Sequence, residues 1–162
     1  MERVYLGLGG NIGDRRVALA AASIMLNEAE GLSVVAKSSL YATKPWGKTD
    51  QAEFYNAVLA CDCLLSPRQL LNLCQSIEQQ MGRERKEHWG PRLIDIDILF
   101  FGKRQINEPD LLIPHPYIEQ RAFVLIPLLE LDPQLKLADG RFLADLPAAL
   151  TTPEIRRLQE NF

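Results

Sequence analysis

The segment HWGPRLIDIDILFFG, His88 to Gly102, places two carboxylates inside an otherwise apolar run. Between Leu93 and Phe101 only Asp95 and Asp97 are polar. A fully buried strand has this character, and a carboxylate buried without compensation is costly. In a strand, residues i and i+2 point to the same face, about 7 Å apart. Asp95 and Asp97 therefore share one face, and Ile94, Ile96 and Ile98 take the other, toward a core. Two readings of the pair are open. Either the face is wet and solvent screens the repulsion, or hard divalent cations sit between the carboxylates. Two cations about 4 Å apart can clamp a polyphosphate during a displacement. Mg²⁺ suits this role, because it takes a few carboxylates together with phosphate oxygens.

The flanking residues bear on the choice. GRERKEHWGPR, Gly82 to Arg92, sets Arg83, Arg85, Lys86 and Arg92 against Glu84 and Glu87. Alone, such a run is a solvated surface loop. Leading directly into a carboxylate strand, it supplies what phosphoryl transfer uses, which is positioning and charge neutralisation. The planar guanidinium matches phosphate oxygens better than an ammonium does. Gly82 and Gly90 would let the loop move as a lid. GLGGNIG, Gly7 to Gly13, misses the G-x-G-x-x-G spacing and lacks a following Lys-Ser/Thr, so it reads as a tight turn with close backbone approach. Phe54 and Asn56 stand at i and i+2. An aromatic ring can stack on a flat heterocycle, and an amide can both donate to and accept from its edge. PHPYIEQRAF then brings His115, Arg121 and Phe123.

The elements that must position these residues follow from local patterning. Val4 to Gly9 reads as a strand. Asp14 is a helix N-cap for the helix formers from Arg15, which Gly31 stops. Leu32 to Thr43 is a strand by its β-branched content. Pro45 and Gly47 break the chain into a loop, and Phe54 to Leu65 forms another strand. Ser66 and Pro67 are N-cap and N1 of a second helix reaching about Met81. The carboxylate strand follows, then a hairpin through KRQIN, Pro-punctuated turns and a short helix over Arg121 to Leu131. The order β-α-β-β-α-β is α+β and ferredoxin-like: an antiparallel sheet with helices on one face, plus a C-terminal hairpin and short helices. That fold hosts many functions and decides nothing about chemistry.

Whole-chain properties exclude several classes. At 162 residues the chain has the size of one domain, expected to span residues 1–162. Its 47% hydrophobic and 24% charged content is that of a soluble globular protein. A net charge of −3 gives no reason to expect nucleic acid or an anionic membrane as partner. No apolar run is long enough to span a bilayer, and MERVYLGLGG is not a signal peptide. Cys61, Cys63 and Cys74 form an odd, sparse set that suggests a reducing compartment. The expected location is the cytoplasm and the expected state a monomer.

The segment His88 to Leu99 resembles the signature of the 6-hydroxymethyl-7,8-dihydropterin pyrophosphokinase family. That signature runs basic residue, any residue, Gly, Pro, Arg, two residues, Asp, aliphatic, Asp, two aliphatics, and every position matches. LGLGGNIGD, YATKPWG, FYNAVL, QSIEQQMGRERK and LLIPHPYIEQRAFVLIPLLEL are also similar to the family, in its order and spacing. The resemblance implies a stand-alone enzyme of folate biosynthesis. ATP would transfer its β,γ-pyrophosphate to the hydroxymethyl group of the dihydropterin, releasing AMP. Asp95 and Asp97 would hold two Mg²⁺ ions. Arg83 and Arg92 would act on the transferring phosphates, and Gln75, Arg85, Trp89, Ile98, His115 and Arg121 would also meet ATP. Phe54 and Phe123 would sandwich the pterin, with Asn56, Thr43 and the backbone near Trp46 on its polar edge. Glu78, one helical turn from Gln75, would support it. Lys44 to Gln51 and Gly82 to Trp89 would close over the substrates. Two other classes compete. A metal-dependent phosphohydrolase would use the same Asp pair on water. A non-catalytic RNA-binding module would need an aromatic, basic central strand, where this chain carries two acids.

Overall fold

The computed structural model describes residues 1–44, 52–82, 93–150 and 155–162. The elements run β1 (Glu2–Gly10), α1 (Arg15–Glu28), β2 (Leu32–Lys37), β3 (Tyr41–Thr43), β4 (Phe54–Cys63), α2 (Pro67–Met81), β5 (Asp95–Phe101), β6 (Ile106–Glu108), β7 (Leu111–Ile113), α3 (Ala122–Leu131) and, after shorter turns, β8 (Ile155–Arg157). Both helix starts are capped as the sequence indicates. The Asp14 side chain accepts from the Val17 N–H at 3.1 Å. Ser66 and Gln69 form a reciprocal capping box around Pro67.

The described residues form a six-stranded sheet with the path β5-β1-β4-β3-β8, and β2 pairs beside β3 along β4. All the pairings are antiparallel. The ferredoxin-like α+β architecture is therefore present. One face packs on α1 and α2, whose apolar residues recur at helical spacing: Leu19, Ala22 and Leu26, and Leu70, Cys74 and Ile77. They meet Leu6, Leu8, Leu59, Cys61, Ile94, Ile96 and Ile98.

Four details depart from the sequence reading. The helices are not confined to one face. Val124, Leu125 and Leu128 of α3 pack on Tyr5, Val58, Ala60, Leu99 and Phe100 of the other. The expected strand Leu32–Thr43 is two, because β2 and β3 lie along the same edge of β4 with irregular register between them. There the Ser38 N–H donates to the Val58 carbonyl and the Ser38 hydroxyl accepts from the Val58 N–H, both at 2.9 Å. The hairpin is not at KRQIN; it joins β6 to β7 across Pro109 and Asp110. Finally, β8 adds an unforeseen edge strand to β3.

A staple fixes α3 against β3. Glu130 accepts from the Tyr41 hydroxyl at 2.7 Å, the Ser39 hydroxyl at 2.9 Å and the Ser39 N–H at 3.0 Å, with Arg157 at 4.0 Å. Burial opposes ionisation of Glu130, but these donors outweigh it and hold the carboxyl below its usual range. Burial and the same carboxylate push Tyr41 up to about 12. A carboxylate whose folded pKa is depressed stabilises above its unfolded pKa, and the contribution fades as pH falls through the folded pKa. Glu130→Gln is therefore expected to melt earlier than the parent at pH 7. The gap should narrow as the pH is lowered through the carboxylate range in parallel thermal melts. Glu130→Ala, which strands the Tyr41 and Ser39 donors, should cost about 1–3 kcal/mol at neutral pH.

Candidate active site

Three strands lay out the site in rows, because residues directly opposite in an antiparallel pair share a face. Across β4, β1 and β5 the rows are Ala60–Tyr5–Phe100, Val58–Gly7–Asp97 and Asn56–Gly9–Asp95. The first row lies in the core under α3. In the next two rows Val58 and Asn56 stay buried, and the face opens toward β5, where both carboxylates are exposed. The expected alternation holds: Ile94, Ile96 and Ile98 are buried among the residues facing α1 and α2. A carboxylate and an amide thus stand on either side of one glycine.

That glycine makes the row possible. A Cβ on Gly9 would lie 2.9 Å from Asn56 Oδ1, so the amide occupies space that any other residue would fill. Asn56 is itself buried, and its Nδ2 donates to Thr43 Oγ1 at 3.1 Å. Phe54, paired with Thr43, is half-buried at the start of the same strand. The expected grouping of Thr43, Phe54 and Asn56 is therefore present. The G-x-G spacing of β1 was visible in the sequence, since period two puts Gly7 and Gly9 on one face of a strand. Gly10 differs: its Cβ would meet the Leu93 backbone carbonyl at 2.6 Å. Gly9→Ala displaces the Asn56 amide from its place, so it should weaken the binding of a heterocycle docked on that amide roughly tenfold, the worth of one displaced hydrogen bond, with little loss of stability. Gly10→Ala meets backbone and should instead lower the melting temperature. Titration and thermal melts of both variants check the contrast.

The third edge of the site comes from a β-bulge. β1 and β5 shift register between Tyr5 and Leu6, where Phe100 faces Tyr5 and Ile98 faces Leu6. Leu99 is the extra residue, which lets both Leu99 and Phe100 enter the core under α3. The Leu99 carbonyl accepts the His115 N–H at 3.2 Å. This brings His115 Nε2 to 4.0 Å from Asp97 Oδ2. His115 Nδ1 accepts the Tyr117 N–H at 3.4 Å, so a neutral ring carries its proton on Nε2, aimed at the carboxylate side. Burial lowers the His115 pKa, Asp97 opposes this, and Arg121 adds to the lowering. Arg121 lies over the rings of Tyr117 at 5.1 Å and Phe123 at 5.6 Å.

Other expected residues stand apart or lie outside the description. The Ile98 side chain is buried beneath the sheet, so any nucleotide contact there falls to its backbone. Gln75 is exposed on α2, which packs on the opposite face of the sheet, and Glu78 is half-buried on the same helix. Trp46, Arg83, Arg85, Lys86, Trp89 and Arg92, with the two expected closing loops apart from their first residues Lys44 and Gly82, lie outside the described residues. The thiols of Cys61, Cys63 and Cys74 are free and buried. Burial raises all three pKa values, that of Cys61 to about 12, which makes them inert.

The donor chemistry fits a hard cation with few protein ligands. Two exposed carboxylates face glycines, so no β1 side chain crowds them. Among the described residues no group of three or more His, Cys, Asp or Glu could form a cage. Such a pair suits Mg²⁺, which keeps water and phosphate oxygens in most of its positions.

Comparison with known proteins places this arrangement. The family model described as 7,8-dihydro-6-hydroxymethylpterin-pyrophosphokinase (HPPK) matches residues 5–133. A Methylorubrum extorquens protein named 2-amino-4-hydroxy-6-hydroxymethyldihydropteridine pyrophosphokinase is 45% identical over 159 residues, covering 98% of this chain and 100% of that protein. A Pseudomonas aeruginosa protein of the same name is 43% identical over 158 residues, covering 98% of each. Among solved structures, one titled "Crystal Structure Analysis of the HPPK-DHPS in complex with substrates" superposes with a TM-score of 0.77 at 15% identity. It covers 97% of this chain, which spans 46% of the solved one, and it bears on the fold alone. The chain belongs to the 7,8-dihydro-6-hydroxymethylpterin-pyrophosphokinase family.

Proposed function

We infer that the chain transfers the β,γ-pyrophosphoryl group of ATP to the hydroxyl of 6-hydroxymethyl-7,8-dihydropterin, a step of folate biosynthesis. The hydroxyl oxygen bonds to the β-phosphorus and loses its proton. The bond from that phosphorus to the α–β bridging oxygen breaks, and AMP leaves with the electron pair. The observation that carries this reading is the row Asn56–Gly9–Asp95. Strands lie about 4.8 Å apart, so a heterocycle docked by its edge at Asn56 has its hydroxymethyl arm within reach of the carboxylates.

Within this reading Thr43 and Asn56 hold the polar edge of the pterin, while Phe54 and Phe123 supply its stacking faces. Asp95 and Asp97 would hold Mg²⁺. When bound, the ions neutralise phosphate charge and acidify the attacking hydroxyl. His115, with its proton on Nε2, donates to phosphate oxygens rather than acting as a base. Arg121 offers its guanidinium to the nucleotide, as would Arg83, Arg85, Arg92 and Trp89, and Gln75 would have to reach it from α2. The chain acts as a cytoplasmic monomer over residues 1–162, without nucleic acid or membrane. Its acidic balance argues against a nucleic-acid or anionic-membrane partner, and its buried thiols suit a reducing compartment.

The test is product analysis with purified protein, ATP, Mg²⁺ and the dihydropterin. AMP and pterin diphosphate should form in equal amounts, and AMP should not form when the pterin is left out. AMP release at full rate without pterin would make the protein a phosphohydrolase.

A further inference from the structure

Tyr117 is a large aromatic side chain that is 54% exposed and belongs to neither apolar core. Burial does not explain its place. Its contacts are with the two groups that the proposed function gives to the nucleotide. Its ring lies 5.1 Å beneath the Arg121 guanidinium and 6.2 Å from the His115 ring. Its backbone N–H donates to His115 Nδ1.

Local chain geometry brings these groups together. Pro116 fixes φ between His115 and Tyr117. The Ile118 N–H donates to the His115 carbonyl at 3.2 Å, and the Gln120 N–H to the Tyr117 carbonyl at 3.1 Å. The resulting 3-10 turn, Ile118–Gln120, returns Arg121 over the tyrosine ring. The Arg121 guanidinium also lies 5.6 Å from the Phe123 ring, and Phe123 packs against the core under α3.

We propose that Tyr117 is a positioning residue for nucleotide binding, its ring holding the Arg121 guanidinium while its backbone N–H orients His115. This rests on the reading that Arg121 meets ATP. The sign of the effect follows from guanidinium geometry. Stacking engages the flat faces, whereas the N–H donors lie in the plane at the edges. Tyr117 meets Arg121 through its ring, a contact that uses none of the N–H donors as hydrogen bonds and leaves them for phosphate oxygens. Held in this way, it loses less rotamer freedom when the nucleotide binds.

The experiment is calorimetric titration of an unreactive ATP analogue with Mg²⁺, and separately of the pterin, into the full chain. Tyr117→Ala should weaken nucleotide binding about two- to fivefold, the range for an exposed cation–π contact, and leave pterin affinity unchanged. Tyr117→Phe keeps the ring and should restore nucleotide affinity. In an Arg121→Ala background, Tyr117→Ala should have little further effect. Wild-type nucleotide affinity in Tyr117→Ala would overturn the proposal, as would equal losses for both ligands or a full loss in the Arg121→Ala background. If Arg121→Ala alone bound the nucleotide normally, the assignment of Arg121 to ATP would fail first, and the role of Tyr117 with it.

Discussion

Asp97→Ala is expected to cut turnover by about 10²–10³-fold, the scale for removing a group that stabilises developing charge, while the protein stays folded. Both halves of the expectation come from the same geometry. Asp97 stands two residues from Asp95 on the exposed part of the sheet face, opposite Gly7. Its side chain is about half exposed, at 49%, so truncation removes little packing, and it relieves repulsion between two like charges. The melting temperature should hold or rise. A cation site made from so few carboxylates has no spare ligand, so the loss falls on catalysis. Circular dichroism melts with AMP release in saturating Mg²⁺ make the check. Retention of a tenth or more of wild-type activity would remove Asp97 from any metal-binding role.

The second large effect is on substrate choice. Asn56→Leu should weaken pterin binding at least tenfold and leave Mg²⁺–ATP analogue binding nearly unchanged. Asn56 is buried and its Nδ2 donates to Thr43 Oγ1, so one hydrogen bond orients its amide. A buried partner left unpaired costs about 1–3 kcal/mol. A site built to hydrogen-bond a substrate edge discriminates strongly against a mismatch. Leu is near in size but offers neither donor nor acceptor, and it leaves the Thr43 hydroxyl without its partner. Separate calorimetric titrations decide the matter. Equal loss of both ligands would mean that Asn56 supports the sheet rather than the pterin.

Much of this site could be read from residue spacing, for a specific reason. The i, i+2 rule puts Asp95 with Asp97 and Phe54 with Asn56 wherever a strand forms, and the apolar residues between them leave one choice of face. Ser66-Pro67 and Asp14 name their own helix starts. What escaped the reading depends on pairing between distant strands. The bulge at Leu99 is set by register against β1, and the carbonyl of that same residue seats the His115 N–H. The division of β2 from β3 likewise arises along β4, where Ser38 engages Val58. β8 is three residues, Ile-Arg-Arg, with two of them exposed, and carries no alternation to read. The mistaken hairpin followed Gly102 and Lys103, which do turn the chain, while the strands that pair flank Pro109-Asp110. α3 is apolar nearly all round, so its own sequence does not say which face of the sheet it covers.

We place the pterin edge at Asn56 and Mg²⁺ at Asp95 and Asp97, as one site on one face of the sheet. A crystal structure of the chain with Mg²⁺, an unreactive ATP analogue and the dihydropterin tests it most directly. The expected result is metal coordinated by carboxylate oxygens of both Asp95 and Asp97 and by analogue phosphates, with the pterin ring bonded at its edge to Asn56 and its hydroxymethyl group turned toward the metal. Pterin density away from Asn56 and Thr43, or metal bound without either aspartate, would contradict it.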